Sequence, residues 1–190
     1  MAARVAITGM GAISAAGNGA QALWRAARDG SPCISQLDEA RFPRARIKHA
    51  ALIREDITQL LGDAATKLDR FAQLALLAAR EAVEQADAEA RLAGMKTAVI
   101  VGSGLGGAET INRLTDAHSA GEVRVDPLTV PKVMASAAAS AIATRYGVHG
   151  PVFCISSACA SGSQAVGIGM QMIRSGAVDR AIVGGSEALI

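Results

Sequence analysis

The chain has 190 residues, 51% of them hydrophobic, and a formal net charge of +2 at pH 7. This is the composition of a globular domain with one sizeable core, and so small a positive charge argues against nucleic-acid binding. The sequence has no signal-peptide pattern and no apolar run of the roughly 20 residues that cross a bilayer, so we expect a cytoplasmic protein without membrane insertion.

Four stretches of the sequence predict the strands of a buried sheet. Each is rich in apolar residues such as valine and isoleucine, and three of them run into glycines, which is typical of parallel strands covered on both faces. The stretches are 4–17, 97–107, 151–159 and 180–190. Helical patterns lie between them, and this alternation predicts an α/β fold with a largely parallel sheet.

The clearest helical pattern covers 69–87. Asp69 can cap its start, and apolar residues such as Phe71 and Leu74 fall on one face. A second helix, made of small residues in KVMASAAASAIATRYG, is predicted to end at Gly147. The chain stops at Ile190 in an apolar stretch, where a sheet edge would be uncovered, so we expect further chain or a partner subunit beyond it.

Cys159 lies where the predicted strand 151–159 meets a helix of small residues. Backbone N–H groups and the positive end of the helix dipole at such a junction favour the thiolate, which is the nucleophilic form. The small neighbours Ala158, Ala160 and Gly162 leave room for an acyl group, and the N–H of Cys159 can face an oxyanion. The alternative is that Cys159 is one more small buried hydrophobe. The helix is apolar on all sides, so we expect it to be buried.

The other two cysteines have simpler interpretations. Cys154 lies within the predicted strand, where we expect a small buried hydrophobe, and Cys33 lies in a predicted loop. An odd number of cysteines without a secretory signal indicates reduced thiols, and the three positions have no metal-ligand spacing. We therefore expect no metal site.

The stretch SSACASG (156–162) resembles the nucleophile motif of the β-ketoacyl-acyl-carrier-protein synthases, the elongating condensing enzymes of fatty acid and polyketide synthesis. Five other stretches resemble the family in the same order: VAITGMGAIS, LDRFAQLALLAAREAV, VGSGLGG, YGVHGP and AIVGGSEA. The resemblance covers the whole chain but only the first half of the family. It implies a thiolase-like fold, layered α-β-α-β-α, of which 1–190 would be an incomplete N-terminal condensing-enzyme domain.

The resemblance implies an acyltransferase. An acyl group would pass from acyl carrier protein to Cys159 as a thioester, and malonyl-acyl carrier protein would then lose carbon dioxide and attack that thioester. The substrates would be carried on phosphopantetheine, with no cofactor of the enzyme's own. The partners implied are acyl carrier protein and either a second copy or a ketosynthase heterodimer subunit. The family's catalytic histidines and lysine belong to the second half, so we expect 1–190 alone to be inactive.

The resemblance also implies binding residues, some of them in the segment DPLTVPKVMASAAAS (126–140), which resembles the family's segment that reaches across the dimer interface and shapes the neighbouring acyl pocket. Lys67 and Arg70 would contact the acidic carrier protein. Thr129 stands where the family commonly has an aromatic residue, which predicts a differently shaped pocket. Leu105 would gate acyl entry. The substrate-binding residues implied are Leu105, Gly104, Gly106, Thr129, Met134 and Ala160.

Four alternative interpretations remain at the level of sequence. A thiolase acting on coenzyme A thioesters shares the fold, and a non-catalytic chain-length subunit of a ketosynthase heterodimer usually lacks the cysteine. The stretch GSGLGG (102–107) matches a dinucleotide-binding pattern after a strand, although the acidic residue that should follow is not convincingly placed. Glu187 follows the last predicted strand, where we expect a buried, hydrogen-bonded structural residue, with a catalytic carboxylate as the alternative.

Overall fold

The computed structural model describes residues 4–40, 42–43, 45–121 and 125–189, so the predicted strand end at Ile190 lies outside the described residues. The strands are β1 (Ile13–Ser14), β2 (Gly17–Asn18), β3 (Ser35–Gln36), β4 (His49–Ala50), β5 (Thr97–Gly102), β6 (Val152–Ile155) and β7 (Arg180–Gly185). The helices are α1 (Ala20–Asp29), α2 (Ile57–Leu61), α3 (Arg70–Gln85), α4 (Ala108–Ser119), α5 (Thr129–Val133), α6 (Ala137–Tyr146) and α7 (Ser161–Arg174). None of the helices among these residues is both long and apolar enough to cross a membrane.

The central sheet has the strand order β6-β5-β7, and all of its pairings are parallel. Val101 of β5 lies between Cys154 of β6 and Gly184 of β7, which sets the register. The predicted α/β fold with a parallel sheet is therefore confirmed. Every residue of β5 is buried, as predicted for a strand covered on both faces. The strands β6 and β7 lie at the edges of this sheet and are largely half-buried.

Helices cover both faces of the sheet and divide the core into two parts. On one face, Val99 and Val101 of β5 pack in a cluster with residues of α3 and α6. On the other face, Ala98 and Ile100 pack against Ala165 of α7. The alternation of strand side chains between the faces thus produces a three-layer arrangement, with α7 alone on the second face among the described elements.

The predicted helix over 69–87 is confirmed as α3, and its cap does more than begin the helix. One carboxylate oxygen of Asp69 accepts a hydrogen bond from the Phe71 N–H, and the other accepts one from the Thr110 N–H at 2.8 Å. Asp69 is buried, so both oxygens replace water with protein donors. The carboxylate joins α3 to the first turn of α4, directly after the glycine-rich loop 102–107.

The predicted strand over 4–17 is wrong. The described residues 4–12 make no strand pairing, and only the short hairpin β1–β2 follows them. This segment lies on α3, since a Cβ at Gly9 or Gly11 would stand 1.9 Å from a carbonyl oxygen of the helix, at Ala82 or Ala78. The glycines therefore serve a close approach to a helix, and a strand-like pattern of residues cannot distinguish this from a place in a sheet.

Side chains of α3 bind backbone N–H groups of the N-terminal segment and of the first residue of α1. The Glu81 carboxylate accepts hydrogen bonds from the N–H groups of Ala12 and Ala20, both at 2.9 Å at the closest. Gln85 accepts one from the Met10 N–H at 2.6 Å. Helix side chains thus take part of the role that a neighbouring strand has in a regular sheet.

An apolar cleft of about 750 Å³ lies beside this N-terminal segment. Its walls come from the segment itself, from α1, and from the outer sides of α7 and β7. The apolar residues that line it include Ile7, Met10, Leu23, Trp24, Val166 and Val183. Trp24 is 61% exposed and Ile7 is 77% exposed.

Two further predictions about helices need correction. The small-residue helix after Cys159 is not buried all round: Ser161, Ala165 and Gly169 of α7 are buried on the sheet, while Val166 is 44% exposed. Only one side of α7 packs against the described residues. An apolar composition on all sides of a helix therefore does not ensure that every side is buried. The helix predicted to end at Gly147 does end there, but its beginning is split into α5 and α6 by residues 134–136.

Candidate active site

Cys159 lies in the turn between β6 and α7, as the sequence predicts. The strand β6 ends at Ile155, a single 3₁₀ turn covers Ala158–Ala160, and α7 begins at Ser161. Cys159 is exposed, so the alternative interpretation as a small buried hydrophobe is wrong. An exposed thiol before the first turn of a fourteen-residue helix is open to attack an incoming electrophile.

The turn is held in an unusual backbone conformation. Ala158 has a φ of +51°, in the left-handed region that residues with a side chain seldom adopt. The buried Ser161 hydroxyl donates to the Ala158 carbonyl at 2.7 Å and accepts from the Ser157 N–H at 2.8 Å. Ser157 Oγ is buried and has no hydrogen-bond partner among the described residues. A strained backbone conformation of this kind persists only where surrounding contacts hold it. Here the hydrogen bonds of Ser161 hold Ala158, the residue that precedes Cys159.

The glycine-rich loop after β5 is bound by the carboxylate of Glu187, which follows β7. Its Oε2 accepts from the N–H groups of Gly104 at 2.7 Å and Leu105 at 3.3 Å. Its Oε1 accepts from the Ser103 hydroxyl at 3.1 Å, and that hydroxyl accepts from the Gly106 N–H at 2.9 Å. Glu187 is exposed, so the expectation of a buried residue is wrong, while the expected hydrogen bonding is present.

This loop lies against the turn that carries the nucleophile. A Cβ on Gly104 would be 3.9 Å from the Ala158 Cα, and the Ser156 hydroxyl donates to the Gly104 carbonyl at 3.5 Å. Parallel strands bring the residues after their carboxyl ends to one edge of a sheet, and here β5, β6 and β7 bring the loop, Cys159 and Glu187 together. Leu105, at the tip of the loop, is 62% exposed.

The other side of the loop packs on the segment that joins α5 to α6. Gly106 has a φ of +64°, and a Cβ there would stand 3.0 Å from the Ala135 Cα. Of the two predicted substrate-binding residues in this region, Met134 is 50% exposed and Thr129 is buried. The Thr129 side chain is therefore packed inside the protein at the start of α5. It does not line an open pocket in this structure.

The predicted carrier-contact residues differ in their surroundings. Lys67 is exposed and lines an apolar groove of about 550 Å³ that Met134 also lines. Arg70 is half-buried, and its guanidinium donates to the Ile53 carbonyl at 3.4 Å. The structure thus brings Lys67 and Met134 to one groove and directs Arg70 toward the backbone of its own chain.

Cys154 differs from Cys159 in its environment. It lies half-buried in β6, and burial raises the pKa of its thiol, the largest of the influences on it. A hydrogen bond involving the Ser103 backbone lowers the pKa, and the nearby Glu187 carboxylate raises it. The raised pKa favours the neutral thiol, while the half-buried position of Cys154 corrects the expectation of a fully buried residue.

The geometry contradicts a dinucleotide-binding interpretation of 102–107. In a phosphate-binding loop, backbone N–H groups must be free to bind the anion. Here the N–H groups of Gly104 and Leu105 already bind the Glu187 carboxylate, whose charge would repel a phosphate. The glycines serve the close packing of the loop between Glu187 and residues 132–135.

Residues 2–190 match the family described as beta-ketoacyl synthase, N-terminal domain. Nodulation protein E of Rhizobium sp. (strain N33) is 36% identical over 194 residues, which cover 97% of this chain and 47% of that protein. The 3-oxoacyl-[acyl-carrier-protein] synthase 2 of Staphylococcus aureus (strain COL) is 33% identical over 196 residues, which cover 98% of this chain and 46% of that protein. The chain thus spans about half the length of these curated relatives.

A solved structure agrees with the sequence matches. The structure of the ishigamide ketosynthase/chain length factor is 27% identical, has a TM-score of 0.86, and is matched over 100% of this chain and 48% of its own. The expected α/β fold of the condensing enzymes is confirmed by this similarity. With the family match over 2–190 and the SACASG turn in place, the chain belongs to the beta-ketoacyl synthase family and carries its N-terminal domain.

Proposed function

We propose that this chain is the nucleophile-bearing part of an acyltransferase that condenses an acyl thioester on Cys159 with malonyl-acyl carrier protein. The observation that carries the proposal is the position of Cys159, exposed on a fixed turn directly before α7. The names of relatives such as 3-oxoacyl-[acyl-carrier-protein] synthase 2 support the substrate class. The chain spans about half the length of these relatives. In this proposal the condensation step uses the histidines and the lysine that the family resemblance places in its second half.

The loading step is a thioester exchange. The Cys159 thiolate attacks the carbonyl carbon of the acyl thioester, and the backbone N–H of Cys159 stabilises the oxyanion that forms. The carbon–sulfur bond to the carrier then breaks, and the carrier leaves as a thiolate that takes up a proton. The acyl group is now a thioester of Cys159, with no change of oxidation state.

The condensation step joins the two acyl units. Malonyl-acyl carrier protein loses carbon dioxide, and the electron pair of the broken carbon–carbon bond forms a carbanion. The carbanion attacks the thioester carbonyl on Cys159 and expels the Cys159 thiolate, which leaves a 3-oxoacyl product on the carrier. The chain's own histidines, His49, His118 and His149, are all exposed, and we assign none of them to this step.

The proposed partner is acyl carrier protein, which would dock near the exposed Lys67. The groove shared with Met134 is lined by two cations, Lys67 and Arg145, and one carboxylate, Asp63, and this net positive charge suits an acidic partner. We also propose a homodimer or a ketosynthase heterodimer in the cytoplasm, with β6, an edge strand among the described residues, available for pairing.

Intact-protein mass spectrometry tests the loading step. The natural protein that contains residues 1–190 is incubated with acyl-acyl carrier protein, and the mass increase of one acyl group is measured. We expect the adduct in the wild type and in Cys154→Ala, and its loss in Cys159→Ala. An adduct that persists in Cys159→Ala would refute the assignment of the nucleophile.

A second measurement separates condensation from thiolase chemistry. Release of labelled carbon dioxide from malonyl-acyl carrier protein, together with a 3-oxoacyl product, is expected for a condensing enzyme. Transfer between coenzyme A thioesters without carbon dioxide release would instead identify a thiolase. The isolated chain 1–190 is expected to give no condensation turnover.

A further inference from the structure

Glu187 has a hydrogen-bonding role that its position in the sequence does not reveal. Its two carboxylate oxygens accept hydrogen bonds from the Ser103 hydroxyl and from the N–H groups of Gly104 and Leu105. These donors lie more than eighty positions earlier in the sequence. Hydrogen bonds to an ionised acceptor are stronger than those between neutral groups, so one side chain supplies much of what fixes this loop.

The two ends of the loop are held by backbone hydrogen bonds, from the Ser103 N–H to the Ile155 carbonyl at 3.0 Å and from the Gly107 N–H to the Val133 carbonyl at 3.4 Å, so the carboxylate acts mainly on the tip between them. The Gly106 N–H binds the Ser103 hydroxyl, which itself donates to Glu187, so this contact is also organised by the carboxylate. A Cβ on Gly104 would stand 3.0 Å from Glu187 Oε2 and 3.9 Å from the Ala158 Cα. The loop is therefore held between the carboxylate and the turn of Cys159, with the exposed Leu105 at its tip.

We propose that Glu187 is a positioning residue that holds Leu105 beside the Cys159 turn and thereby sets which acyl chains reach the thiol. This inference rests on the proposed function, since it concerns acyl loading of the same cysteine. Without the carboxylate, the N–H groups of Gly104 and Leu105 lose their acceptor, and the tip of the loop is less restrained beside Ala158. Because the exposed Leu105 lies beside the Cys159 turn, a displaced tip would alter the approach of a long acyl chain more than that of a very small reagent.

The test compares probes of different size at Cys159 in the natural protein that contains residues 1–190. The probes are iodoacetamide and the butanoyl and dodecanoyl thioesters of N-acetylcysteamine, with adducts measured by mass spectrometry. In Glu187→Ala we expect the ratio of dodecanoyl to butanoyl loading rates to change by about tenfold, in line with the loss of charge-assisted hydrogen bonds. Alkylation by iodoacetamide is expected to stay within about twofold of the wild type, because the thiol itself remains exposed.

Three further variants make the test specific. Glu187→Gln is expected to give a ratio between those of Glu187→Ala and the wild type, because its carbonyl oxygen can accept from Gly104 and its amide can donate to Ser103, but without the charge that strengthens these hydrogen bonds. Ser103→Ala removes the hydroxyl that joins Glu187 to Gly106, and we expect a smaller change in the same direction. Glu109→Ala, an exposed carboxylate in the first turn of α4, is the charge-matched control with the wild-type ratio expected.

Hydrogen exchange provides a readout that does not depend on acyl transfer. The amides of the loop 103–106 are expected to exchange faster in Glu187→Ala than in the wild type and in Glu109→Ala. Unchanged exchange and an unchanged loading ratio in Glu187→Ala and Ser103→Ala would overturn the role of Glu187. A wild type that is alkylated by iodoacetamide but takes no acyl group from any thioester would overturn the proposed function and this role with it.

Discussion

Ser161 and Ala158 are joined by a hydrogen bond of 2.7 Å, in which the Ser161 hydroxyl donates to the Ala158 carbonyl oxygen. A buried side chain in the first turn of α7 thus holds a residue with a φ of +51° directly before Cys159. The orientation of the nucleophile depends on this contact as well as on the strand that leads to it.

Ser161→Ala is expected to destabilise the protein by about 1–2 kcal/mol, because the Ser157 N–H and the Ala158 carbonyl both lose a partner. Urea denaturation measures the change. Ser175→Ala removes a hydroxyl bonded to the Met172 carbonyl at an exposed position and is the matched control, with a loss below about 0.5 kcal/mol. Equal losses in the two variants would contradict the special role of Ser161.

Substitutions at Ala158 are expected to have opposite signs. Glycine adopts the left-handed region without a Cβ clash, so Ala158→Gly should leave stability equal or raise it by up to about 1 kcal/mol. Ala158→Val places a β-branched residue there and should lower stability by about 1–2 kcal/mol. Ala160→Val, in the same turn but at a φ of −85°, is the control. Thermal denaturation that ranks Ala158→Val above Ala158→Gly would disprove this account of the turn.

Two glycines of α7 provide a matched pair for the packing of that helix. A Cβ at Gly167 would meet nothing within 4 Å, so Gly167→Ala should stabilise the protein by about 0.5–1 kcal/mol through helix propensity. A Cβ at Gly169 would stand 2.5 Å from Val183 Cγ1 of β7, so Gly169→Ala should be destabilising despite the same gain in propensity. Chemical denaturation of both variants checks the sign of each change, and a stabilised Gly169→Ala would show that the contact of α7 with β7 is looser than described.

The cysteines are expected to differ in reactivity and in pH dependence. Near neutral pH, iodoacetamide should modify the exposed Cys159 at least about tenfold faster than Cys154, as peptide mapping by mass spectrometry can measure. Burial raises the pKa of Cys154 in the folded state, so the folded protein keeps that proton when the unfolded chain has lost it. The corresponding stability is present below the ordinary thiol pKa and is lost as the pH rises through the folded value.

Cys154→Ala offers the control for this pH effect. It should remove the alkaline part of the stability profile that belongs to the thiol while Cys159 stays reactive. A wild-type protein whose stability falls no more steeply at alkaline pH than that of Cys154→Ala would contradict the burial effect on the pKa.

The helices and strands that depend on the spacing of nearby residues could be predicted from the sequence. The apolar spacing and the Asp69 cap predict α3, and the run TAVIVG predicts the fully buried β5. The place of Cys159 also follows, since a strand that runs into a helix of small residues defines the turn between them. Each of these depends on residues that lie close together in the chain.

The features that depend on distant residues could not be predicted in the same way. The segment 4–12 has the composition of a strand, but Gly9 and Gly11 serve an approach to α3 that only the fold reveals. The hydrogen bonds of Glu187 were also missed, although one signal for them exists. Ser103 and Glu187 lie within two residues of the ends of β5 and β7, and the ends of neighbouring parallel strands meet at one edge of a sheet.

The cleft beside the N-terminal segment gives the protein an optical property of its own. The sequence contains one tryptophan, and Trp24 lies in the wall of this cleft with 61% of its surface open to solvent. An indole in contact with water emits at longer wavelengths than one covered by apolar groups. The emission wavelength of the unlabelled protein therefore reports directly whether the cleft holds water or is occupied by apolar groups.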